Sequence, residues 1–141
     1  MVHCISSGNH FHLLLKIKSL SNLPLEYKTE KKKLHQPFSN LFNAYSKAIN
    51  KKYHRRGSLF QKHLKRTKIE GDVHFKNVLL YIHTNPDHHG FKQSFASYKH
   101  SSYNEYLQNN ESLVTKEYVL DLFDDLTNFI FVHEQSKANR S

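Results

Sequence analysis

The chain has 141 residues, a length that suits one compact domain with a real core and leaves no room for two large ones. Lys and Arg number 21 against 12 Asp and Glu, a net charge of +9, and with a sequence pI of about 9.6 this points to a polyanionic partner, most simply nucleic acid or an anionic membrane. Cys4 is the only cysteine, which excludes an intrachain disulfide and a cysteine-based zinc cluster and fits a reducing cytoplasm; no apolar run is long enough to cross a bilayer, and the N-terminus carries no basic leader ahead of an apolar block.

Met1 to Ser6 alternates as a short strand, Ser7-Gly8-Asn9 makes a turn, and Asn9 to about Lys18 forms a second strand, so the chain opens on a predicted β-hairpin. Alternation in the second strand places His10 and His12 on one face, continuing to Leu14 and Lys16. Phe11, Leu13, Leu15 and Ile17 fall on the other, which is expected to be the core side. Ser19 to Lys33 reads as a loop ending in a solvated lysine run. Phe38, Leu41, Phe42, Tyr45, Ala48 and Ile49 then recur at helical spacing from Pro37 to about Lys52.

A cationic stretch follows, Lys51-Lys52-Tyr53-His54-Arg55-Arg56, and Ser58 to Ile69 is expected as a basic strand. Part of that charge complements the helix C-terminus. Lys52, Arg55, Arg56, Lys62, Lys65 and Arg66, interleaved with Tyr53 and Phe60, have the make-up of a phosphate track. The aromatic content of 13%, all Phe and Tyr, adds rings able to stack on unpaired bases and raises nucleic acid above a membrane as partner.

Asp72 is the expected N-cap of a helix that buries Phe75, Val78, Leu79 and Ile82, with Tyr81 and Asn85 one turn apart on the flank of that stripe and Pro86 as its expected end. Asp87 to Gly90 reads as a turn and Phe91 to Tyr106 as irregular packing chain. Thr115 caps a last amphipathic helix through Leu126, a further turn or two covers Phe129 to Val132, and residues from Glu134 are expected to fray.

Two histidines at i and i+2 on a strand can reach one metal from the same side, and imidazole suits zinc, manganese, iron or nickel. A phenol is a poor nucleophile until a cation or base stabilises the phenolate, and a metal beside Tyr81 would do so while drawing charge from a phosphodiester oxygen. Asn85 can add a carbonyl oxygen as third ligand. The plain alternative is a hydrogen-bonded histidine pair, a Tyr81 ring that only packs, and an asparagine that merely closes a helix.

The motifs Asn9-His10-Phe11-His12-Leu13-Leu14-Leu15, Ser58-Leu59-Phe60-Gln61, Tyr81-Ile82-His83-Thr84-Asn85-Pro86 and Ser101-Ser102-Tyr103, in that order, resemble the IS200-like single-tyrosine transposases, in particular their REP-associated branch. The resemblance runs from Met1 to about His133. It implies an α+β, ferredoxin-like antiparallel sheet with helices on one face, a catalytic core over residues 1–90 and a C-terminal helical extension over 91–141. It further implies Tyr81 as nucleophile, His10, His12 and Asn85 as ligands of magnesium or manganese, and cleavage of hairpin-bearing single-stranded DNA through a 5′-phosphotyrosine. Family members usually carry a strand and helix ahead of the one that here begins at Val2, so the chain reads as truncated, with association into a homodimer one way to restore the sheet.

Two other readings stand beside this one. A nonenzymatic nucleic-acid-binding remnant needs only the basic track. A zinc hydrolase would need a third histidine such as His63, His74 or His83, and has no evident carboxylate base; His83, on the far side of its helix from Asn85, is expected to be structural.

Overall fold

A computed structural model describes residues 2–7, 10–29, 31–60, 65–88, 94–112 and 114–138. The expected hairpin forms: β1 (Val2–Ser7) pairs antiparallel with β2 (His10–Leu15), Val2 opposite Leu15 and Ser7 opposite His10. Gly8 and Asn9, the expected turn, lie outside the described residues. The other regular elements among the described residues are helical: α1 (Leu25–Lys28), α2 (Gln36–Lys52), α3 (Gly71–His88), α4 (Tyr103–Leu107), α5 (Lys116–Leu122) and α6 (Leu126–Ala138), with single 3-10 turns at Leu20–Asn22 and Phe95–Ser97. The protein is therefore mixed and helix-rich. Among the described residues the sheet is the hairpin alone, and the wider ferredoxin-like sheet is not seen.

The chain divides into two compact units, Met1–Lys16 with Lys68–Ser141, and Ile17–Thr67. The expected boundary at residue 90 runs through the first unit, because both the hairpin and α6 pack on α3. Among the described residues every buried hydrophobic side chain belongs to this unit, including Leu14, Phe75, Leu79, Leu80, Ile82, Phe95, Tyr103, Val119, Phe123 and Phe129. Phe129 is its hub, with ring centroids 4.8 Å from Tyr106, 5.2 Å from Phe123 and 5.6 Å from Tyr103.

The second unit is built on α2, started by Pro37 as expected, and α2 has no fully buried residue. Its apolar stripe instead packs partly on the chain that follows it, the Phe60 ring lying 5.1 Å from Phe42 and 6.1 Å from Tyr45.

Several expectations are corrected. The buried position of β2 is Leu14, on the histidine side, whereas Leu13 is 38% exposed. Alternation distinguishes two faces but not which one a helix will cover, and here α3 covers the histidine face. Ser58–Phe60 and 65–69 adopt no strand, since among the described residues β1 and β2 pair with each other and no further strand lies beside them, and an extended segment without a hydrogen-bonding neighbour does not become one; residues 61–64 lie outside the described residues. Gly71, at φ 73°, opens α3, and Asp72 falls inside its first turn rather than at its cap. That backbone conformation suits glycine, and His74 Nδ1 accepts the Glu70 amide at 3.4 Å, doing the work of the acidic residue in a capping box.

Pro86 does not end α3, which runs on to His88 with the proline buried inside its last turn. A proline costs an interior hydrogen bond but is tolerated where surrounding chain encloses the turn, and residues 82–86 are all buried. Finally, the C-terminal turns form a full helix reaching Ala138, capped by Asp125, whose carboxylate accepts the Asn128 amide at 2.7 Å. The stretch before it is likewise more ordered than expected, with α4 burying Tyr103 and Tyr106.

Candidate active site

β2 carries His10 and His12 towards α3 because they share the face of the buried Leu14. On α3, Tyr81 and Asn85 stand one turn apart and meet His12. The His10 and His12 rings lie 5.3 Å apart at 85°, and the His12 ring sits edge-on to Tyr81 at 5.6 Å and 77°. His12 Nε2 is 3.5 Å from the Asn85 amide nitrogen. Four residues from two distant segments thus form one cluster within a single unit.

Burial within the cluster is graded. Asn85 is fully enclosed, while Tyr81 keeps 42% of its surface open, so the phenol is reachable from solvent although its ring is held against His12. Asn85 Oδ1 is buried and has no hydrogen-bond partner among the described residues. Leaving an amide oxygen so placed costs about 1–3 kcal/mol, which a cation or a water would recover.

The donor set of two imidazoles and one amide oxygen suits a divalent ion of intermediate hardness such as manganese, and with fewer nitrogen ligands magnesium. A third histidine does not join it: no three His, Cys, Asp or Glu side chains gather among the described residues. His74 is engaged at the start of α3, His83 is buried elsewhere, and His63 lies outside the described residues. The zinc-hydrolase reading is thereby left without its third ligand among those residues.

Of the basic track, Lys52, Arg55, Arg56, Lys65 and Arg66 are exposed in the second unit, and Lys62 lies outside the described residues. The loop after α2 is specifically built. Arg55 N–H donates to the Asn50 carbonyl at 2.9 Å, His54 takes φ 49°, and Asn50 Nδ2 donates to the Gly57 carbonyl at 2.9 Å. Gly57 itself sits at φ 92°. Arg55 and Arg56 are exposed on this loop, and the Tyr53 ring is 5.4 Å from Lys52 Nζ.

Behind the cluster lies a polar group that residue patterns missed, apart from the structural role expected of His83. His83 Nδ1 is 2.9 Å from His133 Nε2, His83 Nε2 is 2.9 Å from Ser102 Oγ, and His133 Nδ1 donates to the Phe129 carbonyl at 2.7 Å. Both rings are completely buried, and burial pushes His133 down to about 4 against the opposing pull of its backbone bond. Spacings of 19 and 50 residues left no local signal for these bonds.

Comparison of the chain with protein-family models, with curated proteins and with solved structures finds no match. No helix among the described residues is long and apolar enough to cross a membrane.

Proposed function

We propose that the chain is a metal-dependent single-stranded DNA transesterase of the single-tyrosine transposase type, its hairpin and α3 corresponding to part of a ferredoxin-like catalytic domain. The observation that carries this reading is the convergence of Tyr81, His12 and Asn85, with the Asn85 carbonyl oxygen buried and unpartnered among the described residues. The excess of basic residues and the single cysteine support a DNA partner and a cytoplasmic setting.

In the proposed reaction the Tyr81 hydroxyl oxygen attacks a backbone phosphorus and gives up its proton. The bond from phosphorus to the 3′ oxygen breaks, its electron pair staying on that oxygen, which is protonated to a free 3′-hydroxyl. The new 5′-phosphotyrosine conserves the ester linkage, so a later 3′-hydroxyl can reverse the step without a nucleotide energy source. A magnesium or manganese ion held by His10, His12 and the Asn85 carbonyl would stabilise the phenolate and the charge gathering on phosphate. The His12 ring limits the swing of Tyr81. Arg55 and Arg56 supply phosphate contacts to DNA.

Incubation with hairpin-bearing single-stranded DNA and manganese is expected to leave a protein–DNA adduct that survives denaturation. Tyr81→Phe should abolish it, and His12→Ala should lower it by at least about 100-fold, the range for loss of a group acting in the transition state. An adduct that persists in the Phe variant overturns the assignment of the nucleophile. Salt-sensitive binding with no adduct in the unaltered protein would instead favour the nonenzymatic remnant.

A further inference from the structure

We propose that Ser102 and His133 are positioning residues for the Tyr81–Asn85 pair, acting through His83 to fix the roll of α3 by a directional hydrogen-bond chain. The proposal rests on the reading of Tyr81 and Asn85 as the working residues of the site.

The direction of the chain follows from its end. The Phe129 carbonyl can only accept, so His133 Nδ1 carries a proton, and at 2.7 Å the bond is short and well formed. In a neutral ring, which complete burial favours, His133 Nε2 is then an acceptor. His83 Nδ1, 2.9 Å away, must be the donor. A neutral His83 in turn presents Nε2 as acceptor, and the Ser102 hydroxyl donates to it at 2.9 Å. Both imidazoles are thus held in the Nδ1–H form, which is the less populated tautomer of free histidine in water.

The position of His83 gives this chain its leverage. At about 100° of rotation per residue, Tyr81 and Asn85 differ by only about 40°, whereas His83 lies about 200° from each, on the opposite side of the helix. The site pair faces the hairpin; His83 faces α6 and the Ser102 residue that caps α4. The rings surrounding His83, those of Tyr103, Tyr106 and Phe129 at 5.7, 5.8 and 6.2 Å, would tolerate a small roll of α3 because apolar contact is not directional. The two hydrogen bonds would not. An apolar residue in place of each histidine would pack without the desolvation cost of two buried imidazoles, so this polar chain specifies one orientation rather than adding to burial.

Long-range nitrogen–proton spectra of histidine-labelled protein at neutral pH should show His83 and His133 as Nδ1–H tautomers. Nε2–H forms at either residue overturn the chain. The functional consequence is read from nuclear Overhauser effects between the His12 and Tyr81 rings, which need no activity and so separate this proposal from the catalytic one. Ser102→Ala should abolish those cross-peaks, and Ser102→Thr, which keeps the hydroxyl, should retain them. Cross-peaks at full strength in Ser102→Ala overturn the proposal whether or not the protein cleaves DNA. Where cleavage is measured, Ser102→Ala should lower kcat at least about tenfold with KM changed less than about twofold, the split expected when a catalytic group is misplaced after substrate has bound. Should Ser102→Ala not fold, the tautomers of the unaltered protein and the cross-peaks of Ser102→Thr decide the matter. Wrong tautomers, or a Thr variant whose His12 and Tyr81 rings have moved apart although the hydroxyl is kept, overturn the proposal.

Discussion

Burial alters the chemistry of His133, holding its imidazole at about 4 instead of near 6.5. Its folded value lies below its unfolded one, so between the two the unfolded chain binds more protons and acid favours unfolding. Stability from this group is complete above about pH 6.5 and is lost as pH falls towards 4, a change of roughly 3 kcal/mol. Urea midpoints should therefore drop between pH 7.5 and 4.5, and His133→Leu should flatten that part of the profile even though it lowers stability at neutral pH. Phe129, at the centre of the aromatic cluster and fully buried, is expected to cost about 3–5 kcal/mol as Phe129→Ala, read from the same midpoints. Neither result was foreseeable from local sequence. His133 falls between the turn or two expected over Phe129 to Val132 and the tail expected to fray from Glu134, and its side-chain partner His83 lies 50 residues away along the chain.

At the level of elements, the hairpin shows both what alternation conveys and what it leaves open. The pairing of Val2–Ser7 with His10–Leu15 and the common face of His10 and His12 are both legible in residue order. The covered face is not, because Phe11, Leu13 and Leu15 form the more apolar row, and only packing against α3 reveals that Leu14 is the anchored one. Leu14→Ala should accordingly destabilise by about 2–4 kcal/mol, and Leu13→Ala by less than about 1 kcal/mol, in equilibrium denaturation. The reverse order would restore the face expected from hydrophobicity. The start of α3 carries a smaller prediction of the same kind: at φ 73° Gly71→Ala is strained and should cost about 1 kcal/mol, although its surroundings leave space for the added methyl. Helices α2 and α3 were legible because their apolar residues keep one period over several turns, whereas Ser58–Phe60 and 65–69, the described parts of the alternating stretch, join no ladder among the described residues.

For the whole molecule, the candidate site and the basic loop belong to different units, so they are separable by mutation. Arg55→Ala with Arg56→Ala should weaken single-stranded DNA binding and reduce the steepness of its salt dependence by about 1–2, without altering the packing of His12 on Tyr81. The residues of the proposed site were singled out from the sequence because His10, His12 and Asn85 carry donor atoms and Tyr81 carries a phenol. Their meeting depends on tertiary packing, and it is the packing that brings His12 within 3.5 Å of the Asn85 amide. The most direct test of this shared site is a manganese titration followed by proton NMR. Signals of His10, His12, Asn85 and Tyr81 should broaden together and saturably at low metal, with His74, His83 and His133 unaffected until later. Broadening centred on those other histidines, or none that saturates, would contradict a divalent ion shared by the imidazole pair and the tyrosine helix.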